Sequence, residues 1–247
     1  MASAKDIIVK PIAAKDARRI IKKLHYSGKV VNNSSLHFGV FLNGKCEGAM
    51  QFGCPMDKRK MLPLVMNTSW NGMLELNRMA FSEVLPRNSE SRAIGYTMRL
   101  IRNKYPHVEW VISFADGTQC GDGIIYRASG FKLLTINKNS TLMELVNGDI
   151  VANMTYSKGK HILNNKGKAG KPKGAVTLDG FQLKYIYFID KTAKERLTVP
   201  ILPFSKINEM GAGMYKGQRR VLIEEQQKPS VDGGASPTHT LQTRESA

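Results

Sequence analysis

LPRNSESRAIGYTMRLI, residues 85–101, is the stretch on which the fold class turns. A strand-like run ends before it, a polar turn follows, and a helix begins near Ser89 to Ser91. The first N–H groups of a helix have no intrahelical acceptor, so such a turn is ready to receive phosphate. On its own the pattern is common, and its position gives it weight. Residues 72–81 read as a strand before it, and 89–105 as the helix, stopped by Pro106. Residues 108–115 then read as a strand, 122–129 as a short helix and 131–136 as a strand.

Working outward, 7–12 reads as a strand and 13–24 as an amphipathic helix. Ala17, Ile20, Ile21 and Leu24 fall at helical spacing, with Arg18, Arg19, Lys22 and Lys23 between them. The helix halts at His25-Tyr26-Ser27-Gly28. Residues 36–42 and 46–52 read as strands joined by Asn43-Gly44, a strong hairpin signal. A further short strand is expected at 141–146. The order over roughly 5–150 is β, α, β, β, β, α, β, α, β, a mixed α/β class with a central hairpin. We expect 1–150 as the catalytic core, 151–223 as a basic loop and an added strand packed on it, and 224–247 as a disordered tail. The added strand is 181–189, with Tyr185 and Tyr187 on one face.

The chain has 247 residues, 42% of them hydrophobic, enough for one good core. Its 37 Lys and Arg against 20 Asp and Glu give a net charge of +17. Such an excess acts as a field for a polyanion: nucleic acid, an anionic surface or a polyphosphate. It is concentrated in SKGKHILNNKGKAGKPKG, 157–174, which holds Lys158, Lys160, Lys166, Lys168, Lys171 and Lys173 and no acid. These six lysines are expected to form a phosphate-contacting arm, the alternative being a solvated loop. Cys46, Cys54 and Cys120 have no metal or disulfide spacing and read as reduced thiols. No apolar run approaches a membrane span, and MASAKDIIVKPI lacks a signal-peptide pattern. A soluble, cytoplasmic protein with no membrane partner is expected.

The order strand, phosphate-ready turn, helix, strand, short helix, Gly-Phe resembles the acyltransferase fold of the GNAT superfamily, on residues 87–95 and 126–131. There the turn holds the donor's pyrophosphate, and a tyrosine on the following helix often protonates the leaving thiolate. The resemblance therefore implies an acyl-CoA donor. The superfamily's turn usually reads Gln/Arg-x-x-Gly-x-Gly/Ala, whereas the best register here gives Glu90, Ala93 and Gly95. With the positive charge, that departure leaves an aminoacyl-tRNA donor equally open.

A closer resemblance rests on HYSG at 25–28, ELNRMAF at 75–81, NSESRAIGY at 88–96 and SFADGTQCGDGIIYRASGF at 113–131. Together these look like the phage Mom-type DNA modification proteins, over about residues 20–136. The resemblance implies a GNAT-like mixed sheet with flanking helices. It implies conversion of the N6 amino group of adenine in double-stranded DNA to a methylcarbamoyl (carbamoylmethyl) form, which shields phage DNA from host restriction. Carried over by motif, it implies roles for His25, Tyr26, Arg78, Ser91, Asp116 and Tyr126, with Arg92 beside Ser91. An iron site of His25, Tyr26 and Asp116 is conceivable for the family, and the spacing does not demonstrate one.

The adenine N6 amine is a poor nucleophile, because its lone pair is delocalised into the ring. A carboxylate accepting an N6–H hydrogen bond raises electron density at nitrogen and takes the proton. Asp116, at the carboxyl end of a strand, suits that role, and suits equally a turn before Gly117. Tyr126 suits proton donation to a leaving group, or core packing. Tyr26 suits stacking on an extruded base, or a plain surface position. His25 reads as a base, a ligand or a helix-end cation. Arg78, on an otherwise apolar strand, should point into a cleft unless it pairs with Glu75 or Glu83. Ser91 and Arg92 are donor-binding candidates in the first turn of their helix. The glycines at 117, 121 and 123 would keep side chains out of the space a flipped base needs. A GNAT acetyltransferase using acetyl-CoA on a protein or small amine is the alternative enzyme, and a non-catalytic nucleic-acid binder the alternative class.

Overall fold

A computed structural model of the chain describes residues 2–153, 171–215 and 218–219. The first elements are β1 (Ile8–Pro11), α1 (Ala14–Leu24), β2 (Ser34–Leu42) and β3 (Lys45–Gly53). Then come α2 (Lys58–Met61), β4 (Met73–Phe81), α3 (Ser89–Lys104), β5 (Trp110–Asp116), α4 (Ile124–Ala128) and β6 (Lys132–Lys138). The later elements are β7 (Leu142–Glu144), β8 (Ile150–Ala152), β9 (Val176–Thr177), β10 (Phe181–Phe188) and α5 (Ser205–Glu209). The β2–β3 turn has φ 50° at Asn43 and 79° at Gly44, the left-handed pair that a two-residue hairpin needs.

One seven-stranded sheet carries the fold, in the order β1-β2-β3-β4-β5-β10-β6. It is antiparallel except between β4 and β5, which run parallel. The expected mixed sheet with flanking helices is therefore present. β10 pairs with β5 on one side and β6 on the other, so the core sheet takes an interior strand from beyond residue 150.

Side chains alternate along a strand, so each face collects its own core. Met50, Phe52, Val111, Leu183 and Tyr185 join the buried side of α3, namely Ala93, Ile94, Met98 and Ile101. Their sequence neighbours face the other way. There Ala49 and Ala80 meet Ala17, Ile20 and Ile21 of α1. On that same face, Ile112 and Ile186 pack with Val65, Met73 and Trp110. Thus α1 covers one face and α3 the other. Among the described residues no helix is long and apolar enough to cross a membrane.

Candidate active site

β4 and β5 are paired only at Met73 with Trp110, Leu74 with Val111 and Glu75 with Ile112. β4 then continues to Phe81 and β5 to Asp116 with no ladder between them among the described residues. The strands fork. Near the crotch the Ser113 hydroxyl donates to the Leu76 carbonyl at 3.3 Å. The fork opens a cavity of about 200 Å³, lined among others by His25, Tyr26, Arg78, Asp116, Cys120 and Tyr126.

Strand parity sorts these groups by face. Asp116 shares its face with Ile112 and Phe114, the side of α1. Its carboxylate accepts the Thr118 N–H at 3.0 Å and the Tyr26 hydroxyl at 3.5 Å. Desolvation is the main influence on Asp116 and raises its pKa above the ordinary carboxylate value. A desolvated, more basic carboxylate is a better proton acceptor.

Tyr26 follows directly on the end of α1 and is half-exposed. Desolvation, then the Asp116 charge, raises its pKa, so the phenol stays protonated. Its ring lies 4.3 Å from that of His25, tilted by 30°. His25 caps α1, donating its backbone N–H to the Ile21 carbonyl. Its Nδ1 lies 3.2 Å from the Ser27 backbone N–H and 2.9 Å from the Ser27 hydroxyl. Desolvation, then Arg78, lowers its pKa to about 4. His25 is therefore a neutral ring that props Tyr26 and holds the HYSG turn, not a helix-end cation.

Arg78 reaches this face through a β-bulge. Gln51 pairs with Arg78 and Phe52 with Leu76, which leaves Asn77 as the extra residue. The bulge inverts the alternation and re-aims Arg78 toward the side of Asp116. Its guanidinium donates to the Asn77 carbonyl at 2.7 Å and the Lys29 carbonyl at 3.4 Å. No ion pair to Glu75 or Glu83 is present among the described residues, although the Arg78 charge still acts on the Glu75 carboxyl.

Tyr126 enters from the opposite face. Its ring packs 5.3 Å from Phe131 and 5.4 Å from Tyr185, within the core that holds α3. Burial pushes its pKa up to about 12, the largest influence, while a hydrogen bond with Ser113 opposes the shift. At neutral pH it carries a proton to give. The fork thus places a proton acceptor on one face and a proton donor on the other, around one cavity.

Ser91 and Arg92 lie elsewhere. They line a hollow of about 700 Å³ at the start of α3, with Lys5, Arg87, Arg99 and Gly95. Asn88, with φ 70°, caps this helix without a side-chain hydrogen bond. The hollow suits an anionic donor group, since cations surround open helix N–H groups. Glu90 does not line it.

The two glycine positions at the ends of the loop after β5 serve packing. A Cβ at Gly117 would lie 2.9 Å from the Phe181 carbonyl, and one at Gly123 would lie 2.5 Å from the Tyr185 ring. These two positions allow close approach of the chain's own parts, while Gly121 and Gly123 also line the fork cavity. Tyr185, whose hydroxyl donates to the Asp122 carbonyl at 2.5 Å, fixes this loop. Cys120 and Tyr215 also line the cavity and escaped the sequence reading. Cys120 lay in plain view four residues after Asp116, whereas nothing local brings Tyr215 to the fork.

His25, Tyr26 and Asp116, the three residues named for an iron site, line the same cavity. The two Asp116 oxygens accept from Thr118 and Tyr26, and the His25 Nδ1 is held by Ser27. Among the described residues no three His, Cys, Asp or Glu side chains are grouped to hold a metal. Lys171 and Lys173 are exposed, while Lys158, Lys160, Lys166, Lys168 and the tail at 224–247 lie outside the described residues.

A model of the Mom protein family matches residues 6–206. The chain is 38% identical over 206 residues to the methylcarbamoylase Mom of Escherichia phage Mu, covering 80% of this chain and 82% of that protein. Solved structures aligned with it include the ribosomal-protein-S18-alanine N-acetyltransferase from Escherichia coli, 12% identical, TM-score 0.42, over 74% of this chain and 94% of the other. A GNAT family acetyltransferase from Elizabethkingia anophelis with acetyl-CoA bound is 14% identical, TM-score 0.40, over 74% and 98%.

Proposed function

This chain belongs to the Mom protein family, and on that premise we propose that it is a transferase that modifies the N6 amino group of adenine in DNA to a methylcarbamoyl (carbamoylmethyl) form. In a phage this would protect the DNA from host restriction. The observation that carries the reading is the fork, with Asp116, Tyr26 and Arg78 on one face and the protonated Tyr126 on the other.

The target base is extruded from the duplex, at about a few kcal/mol, and stacks on Tyr26. The net charge of +17 favours the phosphates on either side and offsets that cost in a salt-dependent manner. Asp116 accepts one N6–H, and the N6 lone pair forms a bond to the carbonyl carbon of the donor, which gives the N6–C(=O) link of a methylcarbamoyl form. The isomeric carbamoylmethyl form, linked through CH₂, requires a later rearrangement of an N6-acyl adduct. The bond from the carbonyl carbon to the leaving group breaks, the N6 proton passes to Asp116, and the Tyr126 hydroxyl protonates the leaving group. Arg78 neutralises negative charge that develops in the cavity. The donor is either an acyl-CoA, its phosphates in the hollow of Arg87, Ser91, Arg92 and Arg99, or an aminoacyl-tRNA, whose phosphates use the same cations.

The test is nucleoside mass analysis of DNA from cells that express the protein. A modified deoxyadenosine heavier by the transferred group is expected. Unmodified deoxyadenosine alongside soluble, folded protein would overturn the reading. Release of coenzyme A from acetyl-CoA with a protein or small amine, in the absence of DNA, would favour an ordinary acetyltransferase instead.

A further inference from the structure

Asp116 is one end of a row. In the sheet register Asp116 of β5 is the direct partner of Gln182 of β10, and Gln182 is the direct partner of Asn137 of β6. Direct partners across antiparallel strands project from the same face, with Cβ atoms about 5 Å apart. All three line one groove of about 760 Å³ that adjoins the fork on the face of α1. Tyr26, Ser27, Lys29, Arg78, Asn139 and Asp149 also line it. Gln182 and Asn137 are exposed, and neither side chain has a hydrogen-bond partner among the described residues. Two unspent carboxamides beside a catalytic carboxylate are a hydrogen-bonding surface that the mechanism above does not use.

We propose that Gln182 is the specificity residue of this groove, reading the ring nitrogen next to the amino group that Asp116 engages. The inference rests on the adenine reading of the site. A carboxylate only accepts, so it fits an exocyclic amine and repels a carbonyl oxygen. A carboxamide both donates and accepts, and Gln is a standard partner of the adenine amino group and its neighbouring ring nitrogen. Placed one strand from Asp116, the Gln182 N–H₂ donates to N1 or N7 while Asp116 holds N6. Guanine and thymine place a carbonyl oxygen where the amine should be, and the pair rejects them. Cytosine offers the same amine and ring-nitrogen pattern, so it must be excluded by its smaller ring. Asn137 stands two strands from Asp116, about 10 Å away, which is beyond one base edge. Gln182 alone is therefore within reach.

Binding tests this without a donor. The full chain is titrated with fluorescent single-stranded oligothymidylates holding one central adenine, 1-deazaadenine or 7-deazaadenine. The salt is raised until oligothymidylate alone barely binds, so that phosphate contacts do not mask the base. The wild type should bind adenine about tenfold more tightly than one of the two deaza analogues. Gln182→Ala should lose about tenfold on adenine and nothing on that analogue, because the contact is already absent. Gln182→Met, which keeps the length and the charge but cannot donate, should behave alike. The substituted residue is exposed, so an unchanged melting temperature confirms the fold. Equal loss on all three oligonucleotides, or no discrimination by the wild type, would overturn the proposal. If cellular DNA carries modified adenine while the Gln182 cycle is flat, only this inference fails. If no adenine is modified at all, the function reading fails and takes this inference with it.

Discussion

Asp116→Asn should separate catalysis from stability, in opposite directions. General base catalysis contributes about 10²- to 10⁴-fold, equivalent to roughly 2.7–5.4 kcal/mol at 1.36 kcal/mol per tenfold. Burial raises the pKa of Asp116 toward the working pH, which strengthens it as a base and favours the middle of that range or above. We therefore expect about a 10³-fold fall in the rate of adenine modification. Stability should not fall. The folded protein holds a proton on Asp116 more readily than the unfolded chain, so stability declines as pH rises through the folded pKa. Above that pKa the whole desolvation cost of the charged form is present. The amide removes the charge yet keeps an oxygen for the Thr118 N–H, now 3.0 Å away. The assay is timed nucleoside mass analysis of DNA after a short induction at matched soluble protein, with melting of the purified variant at pH 7. Near-normal modification would refute a base role. A variant that melts well below the wild type would show instead that Asp116 chiefly builds its turn.

Tyr126→Phe removes the leaving-group proton but keeps the ring against Phe131 and Tyr185. Modification should fall about 10²-fold or more, while DNA binding by anisotropy stays within twofold of the wild type; weaker binding in proportion would place the hydroxyl in the binding surface. The rate of modification against pH should rise on a single acid limb above the ordinary carboxylate range, from Asp116, and then stay flat past neutrality because Tyr126 titrates at about 12. His25, lowered to about 4, should add no inflection near 6.5, and a limb there that disappears in His25→Gln would contradict its neutral, propping role. Gly123→Ala should destabilise the fold by about 2–5 kcal/mol, from left-handed backbone and overpacking together. Its φ is 80° and the new methyl would sit 2.5 Å from the Tyr185 ring; urea melts that matched the wild type would show that the loop can shift.

Local signals made the elements legible. Asn43-Gly44 marked its hairpin, and the apolar stripe at Ala17, Ile20 and Ile21 marked the buried side of α1. The sheet order was less legible. The strand at Phe181–Phe188 has period-two alternation like any other, and nothing local says that it inserts between β5 and β6. That insertion follows from long-range pairing, and it is what brings Gln182 to Asp116. The chemical types at the site could be named from motifs, but their grouping could not. Arg78 was expected at a cleft because it stood on an apolar strand, yet it reaches the right face only through the bulge at Asn77, which parity counting along β4 would miss. Ser91 and Arg92 were expected as donor-binding candidates in the first turn of their helix, and they line the hollow at the start of α3, apart from the fork. Glycines 117, 121 and 123 were expected to clear room for a base; Gly121 and Gly123 line the cavity, and Gly117 and Gly123 also accommodate Phe181 and Tyr185, partners some 60 residues away.

On the proposed function, the fork also gives one fold room to join two large substrates. A base carried on a polymer and a donor carrying phosphates would collide if both approached from one face. Here α1 and α3 occupy opposite faces, so the groove of Tyr26, Asp116 and Gln182 and the hollow of Arg87 and Arg92 are on separate sides of the sheet. A continuous sheet would wall them apart. The early end of the β4–β5 ladder opens the wall at one place, where Asp116 and Tyr126 line the same cavity from its two sides. Lengthening that ladder would stabilise the strands and close the passage, so the unpaired stretch past Glu75 and Ile112 is a stability cost that the chemistry requires. The bulge at Asn77 belongs to the same arrangement, because a regular β4 would turn Arg78 toward the face of α3 and away from the face of Asp116.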